Sequence, residues 1–94
     1  MKVEQTSLEG VFLITPRVFG DARGAFSETW SARAMAEAGL ACDWVQDNQS
    51  SSTSVGTLRG LHFQVPPAAQ AKLVRCISGA IFDVAVDIRA GSPT

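Results

Sequence analysis

The chain has 94 residues, of which 46% are hydrophobic and 18% are charged, and its net charge is −1 at pH 7. This length predicts one domain, residues 1–94, that buries about 60 to 70% of the surface of its unfolded chain. The balanced charge offers no basic face for nucleic acid, and the sequence has no apolar run of about 20 residues for crossing a membrane. Because residues 1–9 are too polar for a secretory signal, we expect a cytoplasmic protein.

The first third of the chain predicts short strands. Residues 11–14 are an apolar run ended by Thr15-Pro16, which is typical of a strand. Residues 19–24 contain two glycines that suit a tight turn, and residues 25–30 resume an extended pattern. A hairpin-like arrangement is therefore expected near the start.

A short helix is expected over residues 31–39. Ser31 suits the N-cap, Gly39 suits the position just after the helix, and the residues between them are rich in alanine.

The remainder of the chain predicts four strands and a polar loop at residues 50–54. The strands are expected at residues 44–50, 57–65, 72–77 and 80–88. Together these elements predict a mainly β chain with one short helix.

A two-residue turn at Ser78-Gly79 predicts the register of the last hairpin. Such a turn pairs Ile77 with Ala80 and makes Lys72 and Asp83 diagonal neighbours on one face. The sequence therefore predicts a polar wall that carries both side chains.

The segment 58–64 contains the only histidine, His62, three residues after Arg59. An imidazole with a pKa near 6.5 can take and return protons at neutral pH, which makes His62 a candidate base. Strict alternation would put Arg59 and His62 on opposite faces of a strand. Because a glycine inside a strand often marks a bulge, Gly60 predicts irregular pairing that could bring them to one side.

Each of these residues also has a structural interpretation. A lone histidine in an apolar strand is more often a core residue, and Arg59 and Lys72 could be solvated surface cations. Asp83 and Asp87 alternate with apolar residues, as on an exposed strand face. These alternatives stay open on the residues alone.

Metal and dinucleotide sites are not indicated. One histidine cannot supply the ligand set of a zinc or iron site, and the glycines match neither nucleotide-binding loop motif. Cys42 and Cys76 are far apart in sequence, which favours reduced packing residues over a disulfide.

Five segments together resemble the dTDP-4-dehydrorhamnose 3,5-epimerase family. They are residues 16–24, 45–48, 58–64, 70–75 and 82–89. The resemblance implies a cupin-like jelly-roll barrel, of which this chain would be the incomplete N-terminal part, with no metal or organic cofactor. It also implies a homodimer in which N-terminal residues complete the neighbour's site.

The implied reaction inverts C3 and C5 of dTDP-4-dehydro-6-deoxy-D-glucose to give dTDP-4-dehydro-L-rhamnose, in dTDP-L-rhamnose biosynthesis. By resemblance, His62 is the base, and Arg59 and Lys72 interact with the diphosphate and the keto oxygen. Asp83 would be a local substitute for the carboxylate that orients the histidine. The positions that match nucleotide contacts are Arg23, Glu28, Gln46, Asp47 and Asn48.

The chain departs from the family at the catalytic acid, which is a tyrosine, because it contains no tyrosine. We therefore expect an N-terminal portion of an epimerase whose open barrel edges favour self-association. The alternatives are a catalytically incomplete cupin fragment that binds sugar nucleotides, and a purely structural assembly piece.

Overall fold

The computed structural model describes residues 1–93 as short antiparallel strands with one short helix. This confirms the mainly β prediction at that level. The elements are β1 (Lys2–Gln5), β2 (Phe12–Thr15), β3 (Val18–Asp21), β4 (Gly24–Ser27) and α1 (Ala32–Glu37). The strands form two separate two-stranded sheets, β1–β2 and β3–β4.

The first hairpin pairs β1 with β2, so that Lys2 lies opposite Thr15. Thr6 closes the connection between the strands, because its hydroxyl donates to the carbonyl oxygen of Val11 at 2.8 Å and accepts from the amide of Leu8 at 3.2 Å. β2 confirms the predicted first strand with a shift of one residue. β1 was not predicted, since its four residues, KVEQ, include only one apolar side chain.

The second hairpin pairs Asp21 with Gly24 across a two-residue turn. Gly24 adopts a φ of +140°, which confirms the expectation that a glycine relieves this turn, whereas Gly20 lies inside β3 with ordinary backbone. β4 ends at Ser27, so the extended pattern predicted to reach residue 30 forms only in its first half.

Helix α1 has the ends that its sequence predicts. The Ser31 hydroxyl accepts a hydrogen bond from the amide of Ala34 at 3.3 Å, and Gly39 follows the helix with a φ of +74°. The amide of Leu40 donates to the carbonyl of Met35 at 2.8 Å, and the amide of Gly39 bonds one turn back. These two bonds satisfy carbonyls at the C-terminal end, as in a Schellman motif.

Burial is slight in the described residues. Met35, on α1, is 4% exposed and is the buried hydrophobic residue among them, while large apolar side chains elsewhere are exposed. Cys42 and Cys76 are free and also exposed, so the expectation that they pack in a core is wrong. The small core of this part of the chain therefore lies at the helix.

Four predicted strands do not form in the described chain: residues 44–50, 57–65, 72–77 and 80–88. The prediction is wrong because an alternating apolar pattern does not by itself provide a second strand for hydrogen bonding. A strand persists only when its amides and carbonyls pair with a second strand.

The predicted hairpin at Ser78-Gly79 is likewise absent. Gly79 has a φ of +79° and the chain bends there, but the flanking residues form no ladder. The predicted register is therefore wrong, and the shared strand face proposed for Lys72 and Asp83 has no basis without it.

Contacts divide the chain into two compact units. One is Cys42–Ala80, and the other combines Met1–Ala41 with the segment that begins at Ile81.

Candidate functional site

His62 lies in the unit Cys42–Ala80 and is exposed to solvent. Its ring folds back over Gly60, since a Cβ atom built on that glycine would lie 3.4 Å from His62 Nδ1. Gly60 has a φ of +113°, so any other residue would be strained there as well as crowded. The irregular strand pairing predicted at Gly60 is wrong, because residues 57–65 form no strand and have no partner strand.

Arg59 is tied to the polar loop that precedes it. Its Nε donates to Ser52 Oγ at 3.1 Å, and its Nη2 donates to the carbonyl oxygen of Ser51 at 3.1 Å. No carboxylate of the described residues forms an ion pair with it. The guanidinium is therefore held in place with its positive charge uncompensated, which suits an anionic ligand.

The other candidate residues of this unit are exposed polar groups. Gln46 Nε2 donates to Asn48 Oδ1 at 3.4 Å, across the exposed Asp47. Lys72 is exposed and forms no ion pair among residues 1–93. This unit thus holds six of the predicted site residues: His62, Arg59, Lys72, Gln46, Asp47 and Asn48.

Arg23 lies at the tip of the β3–β4 hairpin, in the unit that also contains Glu28 and Asp83. Its Nη2 lies 2.8 Å from Asp21 Oδ2, and this pairing lowers the pKa of the Asp21 carboxyl below its usual range. The residues Phe19, Asp21, Arg23, Gly24, Ala25 and Phe26 line a shallow depression of about 250 Å³.

Asp83 and Asp87 differ sharply. Asp83 is exposed and has no ion pair among the described residues. Asp87 is 8% exposed and accepts hydrogen bonds from Arg89 and Ser92, which hold its pKa well below the usual range, with the Arg89 guanidinium the largest cause. Sequence reasoning treated Asp87 as an exposed strand residue. The Asp-x-Arg spacing, shared with Asp21, was the signal that it missed.

No group of three or more His, Cys, Asp or Glu side chains in residues 1–93 could hold a metal ion. In the same range, no helix is long and apolar enough to span a membrane.

Comparison with known proteins identifies the family of this chain. The model of the family described as dTDP-4-dehydrorhamnose 3,5-epimerase matches residues 5–94. The chain therefore belongs to the dTDP-4-dehydrorhamnose 3,5-epimerase family. No solved structure matches the chain significantly.

Individual relatives carry the same name. The chain is 55% identical to the dTDP-4-dehydrorhamnose 3,5-epimerase of Sinorhizobium fredii and 53% identical to that of Shigella flexneri, in each case over 100% of this chain. It is 53% identical to that of Escherichia coli over 98% of this chain. These alignments cover 48%, 52% and 50% of the three relatives, so the chain spans about half the length of the curated relatives that it matches.

Proposed function

We propose that the chain functions in a dTDP-4-dehydrorhamnose 3,5-epimerase, which converts dTDP-4-dehydro-6-deoxy-D-glucose into dTDP-4-dehydro-L-rhamnose by inverting C3 and C5. The observation that carries the proposal is the family match over residues 5–94, which includes every candidate site residue. Two relatives that are 55% and 53% identical to the chain over the aligned residues carry this name.

The residues suit the chemistry of this reaction. The C4 ketone acidifies the hydrogens on C3 and C5, so a base with a pKa near neutrality can remove them. His62 is exposed and makes no hydrogen bond within residues 1–93, which leaves its imidazole open to a substrate. The enolate that forms needs a nearby positive charge, which Lys72 supplies at the keto oxygen while Arg59 binds the diphosphate.

Polar side chains bind the nucleotide in this proposal. Arg23 supports the assignment, because it lines a surface depression together with the exposed residues Phe19 and Phe26. A guanidinium recognises phosphate oxygens through paired hydrogen bonds. The nucleotide-binding residues of the proposal are Arg23, Glu28, Gln46, Asp47 and Asn48.

We propose further that residues 1–94 belong to a single cupin-like jelly-roll barrel of a cytoplasmic homodimer without cofactors, in which N-terminal residues complete the neighbouring site. The exposed apolar side chains support this, since a barrel or a second copy would cover them. Asp83 stays a proposed partner of the histidine. The second protonation needs an acid on the opposite face of the sugar, and because the chain has no tyrosine, we assign that acid to residues outside these 94.

The missing tyrosine favours one alternative function, a catalytically incomplete fragment that binds sugar nucleotides. Deuterium exchange separates the two. The chain is incubated with dTDP-4-dehydro-6-deoxy-D-glucose in heavy water, and deuterium at C3 and C5 is measured by mass spectrometry and NMR. We expect incorporation that falls about 10²- to 10⁴-fold in His62→Ala, because the base is lost.

Thr53→Ala is a matched control, since Thr53 is an exposed residue of the same unit outside the proposed site. It should exchange at the wild-type rate. Absence of exchange with dTDP binding retained supports the incomplete fragment. Absence of both exchange and dTDP binding contradicts both functions and favours a structural role.

A further inference from the structure

The chain contains two Asp-x-Arg turns with similar hydrogen bonds. Asp21 Oδ1 accepts from the amide of Arg23 at 2.8 Å, and Oδ2 accepts from Arg23 Nε at 3.3 Å and Nη2 at 2.8 Å. Asp87 Oδ1 accepts from the amide and Nε of Arg89 at 3.1 and 2.9 Å, and Oδ2 accepts from Nη2 at 2.7 Å. In both turns the arginine side chain folds back onto the aspartate two residues before it.

The two turns differ in their surroundings. The Asp87 carboxylate is 8% exposed and also accepts from Ser92 Oγ at 2.6 Å, while Arg89 Nη2 reaches the Glu9 carbonyl oxygen at 3.4 Å. The Asp87–Arg89 pair therefore also forms hydrogen bonds with other residues of its unit. The side chains of Arg23 and Asp21 are 90% and 54% exposed, at the tip of a hairpin.

The hydrogen bonds at the exposed turn leave part of the guanidinium available. Asp21 occupies the side of Arg23 formed by Nε and Nη2. The end formed by Nη1 and the second hydrogen of Nη2 has no hydrogen bond within residues 1–93. This end has the geometry that binds two phosphate oxygens at once.

We propose that Asp21 is a positioning residue for Arg23: it fixes the guanidinium so that its free end meets the phosphates of the nucleotide. This inference rests on the proposed function, which assigns Arg23 to nucleotide binding. An unpaired arginine side chain loses rotamer entropy when it binds a ligand. Because the pairing with Asp21 already restricts the Arg23 side chain, this entropy cost of binding is smaller.

The negative charge of Asp21 acts in the opposite direction, because it repels phosphate. Both groups are largely exposed, so water and salt weaken this repulsion. Water and salt do not weaken the effect of a restricted Arg23 side chain on binding entropy in the same way. Removal of the Asp21 charge should therefore weaken nucleotide binding.

The test compares dTDP with thymidine by calorimetric titration of the wild-type chain and Asp21→Asn. We expect the affinity for dTDP to fall about two- to tenfold, the cost of ordering one long side chain. Thymidine lacks phosphates, so its affinity should stay unchanged, whereas damage to the hairpin would weaken both ligands. Relaxation of the Arg23 Nε signal in NMR should show increased motion in the variant.

Glu37→Gln is the matched control, because Glu37 also forms an exposed ion pair, with Arg33 on α1. It should bind both ligands as the wild type does. Unchanged or tighter dTDP binding by Asp21→Asn, or an equal loss for thymidine, would overturn the positioning role while the proposed function stands. A wild-type chain that binds no dTDP would overturn the proposed function itself.

Discussion

Met35→Ala should lower the free energy of local opening of helix α1. The loss should be larger than for any other single truncation to alanine in the same unit. Met35 is 4% exposed, so the change removes a buried thioether and its methyl group from contact. Truncations of this kind cost about 2 to 5 kcal/mol in closed cores, and the upper values include the energy of a cavity that cannot collapse. Here the large apolar side chains nearby in the sequence are exposed, so the site can collapse. We therefore expect about 2 kcal/mol.

Hydrogen exchange of the Leu40 amide measures this opening directly, because that amide donates to the Met35 carbonyl at 2.8 Å and the bond survives the substitution. A loss of about 2 kcal/mol corresponds to exchange about 30-fold faster. Met35→Leu conserves volume and should cost less than about 1.5 kcal/mol. Leu13→Ala is the control for an exposed position, since Leu13 is 55% exposed. If Met35→Ala changes the exchange no more than Leu13→Ala does, the small core at α1 is not what stabilises the helix.

Two further predictions concern hydrogen bonds of the same unit. Ser31→Ala removes the hydrogen bond to the Ala34 amide and should destabilise α1 by about 0.5 to 1 kcal/mol, measured by hydrogen exchange of the helix amides. Ser31→Asn should retain most of the cap. Equal effects of the two substitutions would contradict a capping role. Because folding lowers the pKa of Asp87, its pairing contributes stability above the usual carboxyl pKa of about 3.9, and this contribution is lost as the pH falls below that value. Thermal unfolding from pH 5 to pH 2 should therefore decline less steeply in Asp87→Asn than in the wild type, and identical slopes would refute the linkage.

The family and the candidate residues followed from the sequence because they depend on which residues stand at which spacing. The segment around His62 and the residues near Arg23 were sufficient for the resemblance, and the family match over residues 5–94 confirms it. The roles of these residues stay predictions. The ion pair of Asp87 with Arg89 was missed, because Asp87 was interpreted only through its alternation with apolar residues.

Local structure also followed from the sequence. Ser31 and Gly39 set the ends of α1, and Gly24 allows the turn between β3 and β4, because caps and tight turns depend on contacts within about five residues. Strand pairing was decided by tertiary structure alone. β1 forms from a nearly polar segment because β2 lies beside it, whereas residues 57–65 have a better strand pattern and form none. The physical reason is that the hydrogen bonds of a strand belong to its partner, and the position of that partner is not contained in the local sequence.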